Sequence, residues 1–306
     1  MNLINDIDMS KRIQVFTDCD LDGAASLLTL EWLLNAKQLS YISTRVNDFR
    51  PTFLRWLETH NLKKYEKIFI LDLDVSQDCL DIVDRDNVVI IDHHDTHYQN
   101  KDKYKNATVI VDVCSSCAKL IYSKFKDLTQ LSQHQQYLIL LADDYDSYEL
   151  KLKESYPLNI VYWSYQGNKF EKFKRDFGHG FLGFTDFHDN IITFHKKRLD
   201  SLKKSIEVFE ATIPIDNKPR KIVSVFADTC INEIAEYIIN KYESDIGLVV
   251  NLKSKKVSIR KSKKCDVHLG ELSQKLLKGG GHEYAAGGLI NDGAFLDFTK
   301  MLKPVS

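Results

Sequence analysis

Apolar residues in the first half of the chain come in short β-branched runs, separated by longer stretches with helical spacing. Val88, Val89, Ile90 and Ile91 are consecutive, the signature of a strand buried on both faces within a parallel sheet. Residues 12–17 and 67–71 read as further strands of this kind, and shorter ones are expected at 41–46 and 107–111. Helical patterns lie between or after them, at 24–34, 51–59, 77–83, 117–125 and 131–143. This alternation predicts an α/β fold, with a mostly parallel sheet flanked by helices.

A long charged pattern follows at 189–209, with Ile192, Leu199, Leu202 and Ile206 along one helical face and lysines elsewhere. Its charges read as a solvated surface. Pro214 and Pro219 then interrupt the chain. A second alternation begins beyond them, with strands at 221–226, 246–252 and 256–260 and helices at 231–242 and 269–277. The expected organisation is a first domain over 1–188, a linker helix over 189–212 and a smaller α/β domain over 213–306. The active site is expected in the cleft between the two domains.

The formal net charge of -1 provides no bulk attraction for a polyanion, so any nucleic acid must be held by a local patch or by metal. No apolar stretch approaches the roughly 20 residues that span a bilayer. The first residues lack the basic and apolar regions of a signal peptide. Six scattered cysteines suit a reduced, cytoplasmic protein. Cys114 and Cys117 have the spacing of half a zinc site, but no second pair accompanies them.

The strands become informative at their carboxyl ends, where open α/β sheets hold ligands. The first runs into Asp18-Cys19-Asp20-Leu21-Asp22-Gly23, the 67–71 strand into Asp72-Leu73-Asp74, and the 88–91 strand into Asp92-His93-His94. Crowding these carboxylates together with Asp146 would raise several of their pKa values unless a cation neutralised them. Oxygen ligands with one or two imidazoles suit Mn²⁺ or Mg²⁺. Two such ions about 3.5–4 Å apart would activate a water and brace the oxygens of a phosphoryl transition state. Taken alone, the first motif could be a calcium loop or an Asp-rich turn, but an EF-hand loop follows a helix, not a strand.

In order, these motifs resemble the DHH phosphoesterases. The resemblance rests on D-x-D-x-D-G at 18–23, D-L-D-V-S at 72–76, D-H-H-D-T at 92–96, D-Y-D-S-Y at 144–148, and V-S-I-R at 257–260 followed by G-G-G-H-x-x-A-A-G at 279–287. The last pair is similar to the DHH-associated domain of the branches that cleave oligonucleotides. Spacing is most similar to the bacterial nanoRNases, with RecJ-type exonucleases as close relatives.

The resemblance implies two Mn²⁺ ions, with Mg²⁺ as the substitute. Asp20 and Asp18 would hold the first, while Asp22, His93 and Asp146 would hold the second and Asp72 would bridge them. Some relatives have His at the position of Asp18, and Asp144 is the second choice to Asp146. Asp92 would orient His93, and His94 would face the scissile phosphate. Asp74 reads as an outer or surface carboxylate. Arg260, Gly279, Gly280, Gly281 and His282 would bind a nucleotide phosphate, with Lys261, Lys263 and Lys264 as a basic rim.

The implied activity is metal-dependent hydrolysis of short single-stranded RNA or DNA to mononucleotides. Alternatives are a RecJ-like DNA exonuclease, a 3′-phosphoadenosine-5′-phosphate phosphatase, a cyclic-dinucleotide phosphodiesterase, and a regulatory protein that binds nucleotides without cleaving them. No membrane partner is expected, and the oligomeric state is open between monomer and homodimer. Trp32, Trp56 and Trp163 read as packing residues. His97, His134, His179, His188 and His195 read as surface or satisfied histidines. Arg45 and Asn47 lie just beyond the second strand, where they could approach the metal site.

Overall fold

A computed structural model describes residues 7–8, 10–35, 39–281 and 283–290. The chain forms two compact units, 1–192 and 193–306. In the first, β1 (Arg12–Thr17), β2 (Leu39–Ser43), β3 (Tyr65–Leu71), β4 (Val88–Asp92) and β5 (Thr108–Val111) form a sheet of order β2-β1-β3-β4-β5. Every pairing in it is parallel. Strand order reverses between β1 and β3, which makes their carboxyl ends the natural ligand position.

Alternation along each strand explains the unbroken apolar runs. Val15, Phe69, Leu71, Val89 and Ile91 enter one core, shared with α1 (Leu21–Leu34), α5 (Cys117–Phe125) and α6 (Gln133–Asp146). Phe16, Ile68, Ile70, Val88 and Ile90 enter the other, beneath α2 (Val46–Thr59) and α3 (Leu80–Val83). Val88, Val89, Ile90 and Ile91 are fully buried. At about 1.5–3 kcal/mol per buried aliphatic side chain, β4 anchors the sheet between β3 and the edge strand β5.

The short helix α4 (Asp95–Asn100) follows β4. Two further helices, α7 (Ser155–Ser164) and α8 (Lys169–Phe177), occupy a stretch for which the sequence pattern suggested no element. Phe170, Phe173 and Phe177 share one face of α8 and enter the first core. The helix expected at 131–143 starts later and runs on through Asp146, so the acidic motif belongs to its last turn. The long charged helix is α9 (Asp186–Ser205), and 209–215 is a strand.

The second unit holds β6 (Phe209–Ile215), β7 (Lys218–Phe226), α10 (Ile231–Tyr242), β8 (Ile246–Asn251), β9 (Lys256–Lys261), α11 (Leu269–Leu277), β10 (Gly280–Gly281) and β11 (Ala285–Leu289). Its sheet order is β10-β11-β9-β8-β7-β6. Within this second sheet, β7 and β8 pair in parallel and the other pairings among its described strands are antiparallel. Val223, Val225 and Val249 pack with Ile234 and Ile238 of α10. Ile222, Ile246, Val257 and Ile259 pack with Leu269.

Candidate metal centre

The turn after β1 is shaped by close backbone approach. A Cβ on Gly23 would lie 2.4 Å from the Asp18 carbonyl oxygen, so this turn admits only glycine. Asp20 caps α1, its carboxylate accepting from Gly23 N at 2.9 Å. Asp22, in the first turn of α1, is buried and accepts from the backbone amides of Cys117 (2.6 Å) and Ala118 (3.1 Å), at the start of α5. The amino end of that helix steadies its charge.

Asp72 follows β3 in the left-handed region, φ 56°, and is buried. Short polar residues tolerate that conformation better than branched ones. The amide of Asp72 donates to Ile91 O at 3.0 Å, fixing the turn beside β4.

His93 is the centre of the group. Its Nδ1 lies 3.0 Å from the Cys114 carbonyl oxygen, which can only accept, so Nδ1 carries the proton. In the neutral ring the lone pair is then on Nε2. That atom lies 3.3 Å from Asp72 Oδ1, 3.4 Å from Asp146 Oδ2 and 3.8 Å from Asp22 Oδ2. One imidazole nitrogen and three carboxylates converging at such distances form a donor set suited to a hard or borderline divalent cation. Asp22, His93 and Asp146 form one potential metal-ligating group, and Asp72, Asp92, His93 and His94 another.

The electrostatics of this cluster also call for a cation. Burial, followed by the charges of Asp22, Asp20, Asp146 and Asp18, pushes Asp72 well above the usual carboxylate range. Burial and Asp20 lift Asp18 to about 7. Burial lifts Asp22 to about 6 against the pull of His93. Asp146 rises through desolvation within the cluster and repulsion from Asp22 and Asp20. A divalent ion would relieve this mutual repulsion.

Asp92 is organised differently. Burial alone would raise its pKa, but His94 and His97 outweigh it and hold the carboxyl well below the ordinary range. Its Oδ1 accepts from His93 N at 2.9 Å and pairs with His94 Nδ1 at 2.7 Å. Its Oδ2 pairs with His97 Nδ1 at 2.7 Å. His97 is 0% exposed, and its Nε2 meets Tyr104 Oη at 2.9 Å. The expectation that His97 is a surface or satisfied histidine thus resolves to the satisfied kind, close beside the site. A visible signal was its place three residues after His94, at the start of a helix.

The remaining acidic residues separate by their partners. Asp18 and Asp20 raise the pKa of Asp72, but among the described residues neither belongs to a compact group of three ligand atoms. Asp144 is not brought to the centre. It accepts from Lys151 N and Leu152 N at 2.9 Å each and from Ser155 Oγ at 2.6 Å, which ties down the chain leading into α7. The same holds for Asp143, which accepts from Ser116 Oγ at 3.0 Å and Lys119 Nζ at 2.8 Å. Asp74 accepts from Ser76 N and from the hydroxyls of Ser76 and Thr96.

In the second unit, Arg260 lies on β9 opposite Ala285 and Gly247. Its guanidinium donates to Ile259 O at 2.8 Å and to Asn232 Oδ1 at 2.5 Å. The glycine run has mixed reasons. A Cβ on Gly279 would lie 2.0 Å from Gly287 O, and Gly281 has φ 139° with Ala285 O 2.5 Å from its Cβ position, whereas Gly280 faces open space. His282 lies outside the described residues. Lys261 is no part of a basic rim: it is 8% exposed, and its Nζ donates to Val267 O at 2.9 Å and Glu283 Oε1 at 2.7 Å. Lys263 and Lys264 are exposed.

Comparison with known proteins agrees with this layout. The N-terminal domain of the DHH family matches residues 12–144, and the DHHA1 domain matches 221–305. No curated protein matches the sequence. Among solved structures, the chain is similar to the pGpG-specific phosphodiesterase PggH of Vibrio cholerae, at 13% identity over 95% of this chain and 97% of that one, with a TM-score of 0.55. It is similar to RecJ of Thermus thermophilus in complex with Mn²⁺, at 14% identity over 97% of this chain and 52% of that one, with a TM-score of 0.61. An exopolyphosphatase-related protein from Bacteroides fragilis gives 15% identity, 95% and 91% coverage and a TM-score of 0.53. At these identities the likeness carries the fold. The chain belongs to the DHH family, with a DHH N-terminal domain followed by a DHHA1 domain.

Proposed function

We propose that this protein is a metal-dependent phosphodiesterase that hydrolyses short single-stranded oligonucleotides to mononucleotides. The observation that carries the reading is His93, whose Nδ1 is held by the Cys114 carbonyl while Nε2 faces Asp22, Asp72 and Asp146. Two Mn²⁺ or Mg²⁺ ions fit this donor set, because the carboxylates are otherwise left in mutual repulsion. Asp22, His93 and Asp146 would hold one ion and Asp18 and Asp20 the other, with Asp72 shared. Bound there, divalent ions supply Lewis-acid activation of water and neutralise phosphoryl oxygens.

The protein's own residues supply orientation and protons. Asp92 fixes the His94 ring through Nδ1. Burial works against a charge on His94, but Asp92, then Asp146 and Asp74, pull its pKa to about 10 before any cation binds. The charged ring keeps a proton on Nε2 for donation to a phosphate oxygen. His97 acts on Asp92 and not on substrate. In the DHHA1 domain, Arg260, the backbone of Gly279, Gly280 and Gly281, and His282 would grip a nucleotide phosphate. Support for the substrate class comes from the motif resemblance and from the substrate named for the Vibrio relative.

End-labelled RNA and DNA oligomers, from dinucleotides upward, together with the 3′,5′-bisphosphate, test the reading in one assay with Mn²⁺. Release of labelled mononucleotides from the shortest oligomers is expected. Release of phosphate from the bisphosphate alone would make the protein a phosphatase, and binding without product would make it regulatory.

A further inference from the structure

The loop carrying Asp18 and Asp20 has another set of neighbours. Tyr162 on α7 donates its hydroxyl to the Cys19 carbonyl at 3.0 Å, fastening that helix to the backbone between the two aspartates. The next residue, Trp163, is 43% exposed, although the sequence suggested packing. Lys169 Nζ sits 3.6 Å from the centre of its ring and 5.7 Å from that of Tyr162. The Arg45 side chain stands beside the Cys19 thiol. Among the described residues, neither Arg45 nor Lys169 forms an ion pair with a carboxylate. Burial and the nearby Arg45 push the Lys169 ammonium below its ordinary pKa, against the pull of Cys19 and Asp20.

A lysine over an exposed tryptophan is by itself a common surface contact. Here the pair adjoins a second cation and the acidic loop of the metal centre. An exposed indole with two cations is the equipment that single-strand binding sites use for a base and its phosphate.

We propose that Trp163, Lys169 and Arg45 form a nucleotide subsite at the edge of the metal centre, Trp163 stacking a nucleobase and the two cations meeting a neighbouring phosphate. The subsite deepens the phosphodiesterase reading and rests on it for its substrate class. Stacking tolerates any base, so the subsite would select for nucleotides without selecting sequence. Arg45 and Lys169 would also offset part of the negative field that Asp18 and Asp20 present to an incoming phosphate.

The test is equilibrium binding by the full chain with Mg²⁺, using AMP, which has no phosphodiester to cleave, and ribose 5-phosphate as the ligand without a base. AMP should quench tryptophan fluorescence, and the Trp163→Phe variant should lose most of that quench while keeping affinity. Trp163→Ala should weaken AMP by about fivefold or more, the lower end for one stacked base. Lys169→Gln should weaken both ligands. Quenching by AMP that is unchanged in Trp163→Phe, or AMP affinity unchanged in Trp163→Ala, would overturn the proposal. Hydrolysis of a dinucleotide by the unaltered protein with Mn²⁺ is scored separately. A Trp163-dependent quench without hydrolysis would sink the phosphodiesterase reading alone, and hydrolysis without the quench would sink the subsite alone.

Discussion

His97, fully buried, pairs through Nδ1 with Asp92 Oδ2 at 2.7 Å, and so anchors the carboxylate whose other oxygen orients His94. The relationship makes His97 a positioning residue, acting on the chemistry through Asp92 and His94. His97→Ala would leave Asp92 short of a partner in a dry site and would cost about 3 kcal/mol, the lower end for breaking a buried pair. Urea denaturation should read that loss. Activity of the folded fraction should fall by about 10- to 100-fold, as for outer partners of metal ligands. His94 should also titrate at lower pH in the variant by NMR, a change that simple destabilisation would not produce.

Asp144 and Asp146 are two residues apart and should behave oppositely. Asp146→Asn removes an oxygen facing His93 Nε2 and should lower activity by more than the about 100-fold expected for an outer partner. Its fold should stay intact. Asp144→Ala removes the acceptor for Lys151 N, Leu152 N and Ser155 Oγ and should cost about 3 kcal/mol of stability. Metal affinity should change little. Calorimetric Mn²⁺ titration with thermal melts separates the two, and a metal-binding loss in Asp144→Ala would reverse the assignment.

Acidity should act on the apo protein and on metal binding in opposite ways. Asp18 and Asp22 are lifted from 3.8 to about 7 and about 6. Between those values the native state binds more protons than the unfolded chain, so apo stability falls as pH rises. Their contribution is fully present below 3.8 and lost by about pH 7. Melting in EDTA should therefore occur at higher temperature near pH 5 than near pH 7.5, at about equal ionic strength. Mn²⁺ affinity should weaken over the same fall in pH, because protons compete for the ligands. Equal melting temperatures at the two pH values would deny the crowding of carboxylates.

Within the glycine run, position should decide the outcome. Gly279→Ala and Gly281→Ala would drive a methyl group into the β11 backbone and should destabilise the DHHA1 domain. Gly280 faces open space, so Gly280→Ala should leave stability within about 0.5 kcal/mol. A fall in AMP affinity for Gly280→Ala, seen in a binding titration, would mark the backbone there as a phosphate contact.

Much of the first unit was legible because the strands are buried on both faces, so β-branched runs ending in Asp or His announced both the sheet and its ligand edge. Helix α7 was harder to see: Ser155–Ser164 carries Pro157, Ile160 and Val161, which blur a helical pattern. The periodic phenylalanines of α8 were a readable signal, obscured by surrounding lysines. Lys261 looked like one of a solvated run, yet strand alternation puts it on the same face as Val257 and Ile259. The motif favoured Asp146 over Asp144, but what Asp144 does instead could not be read without knowing that the helix continues through both. Trp163 lies beside an apolar run, and its exposure depends on tertiary packing that composition does not report.

Asp72→Asn tests the metal-centred account most directly. Asparagine tolerates the left-handed backbone at this position and removes only the charge. Dinucleotide hydrolysis with Mn²⁺, measured beside melting in EDTA, should show activity abolished and apo stability equal to or above that of the unaltered protein. Near-full activity in Asp72→Asn would contradict the account.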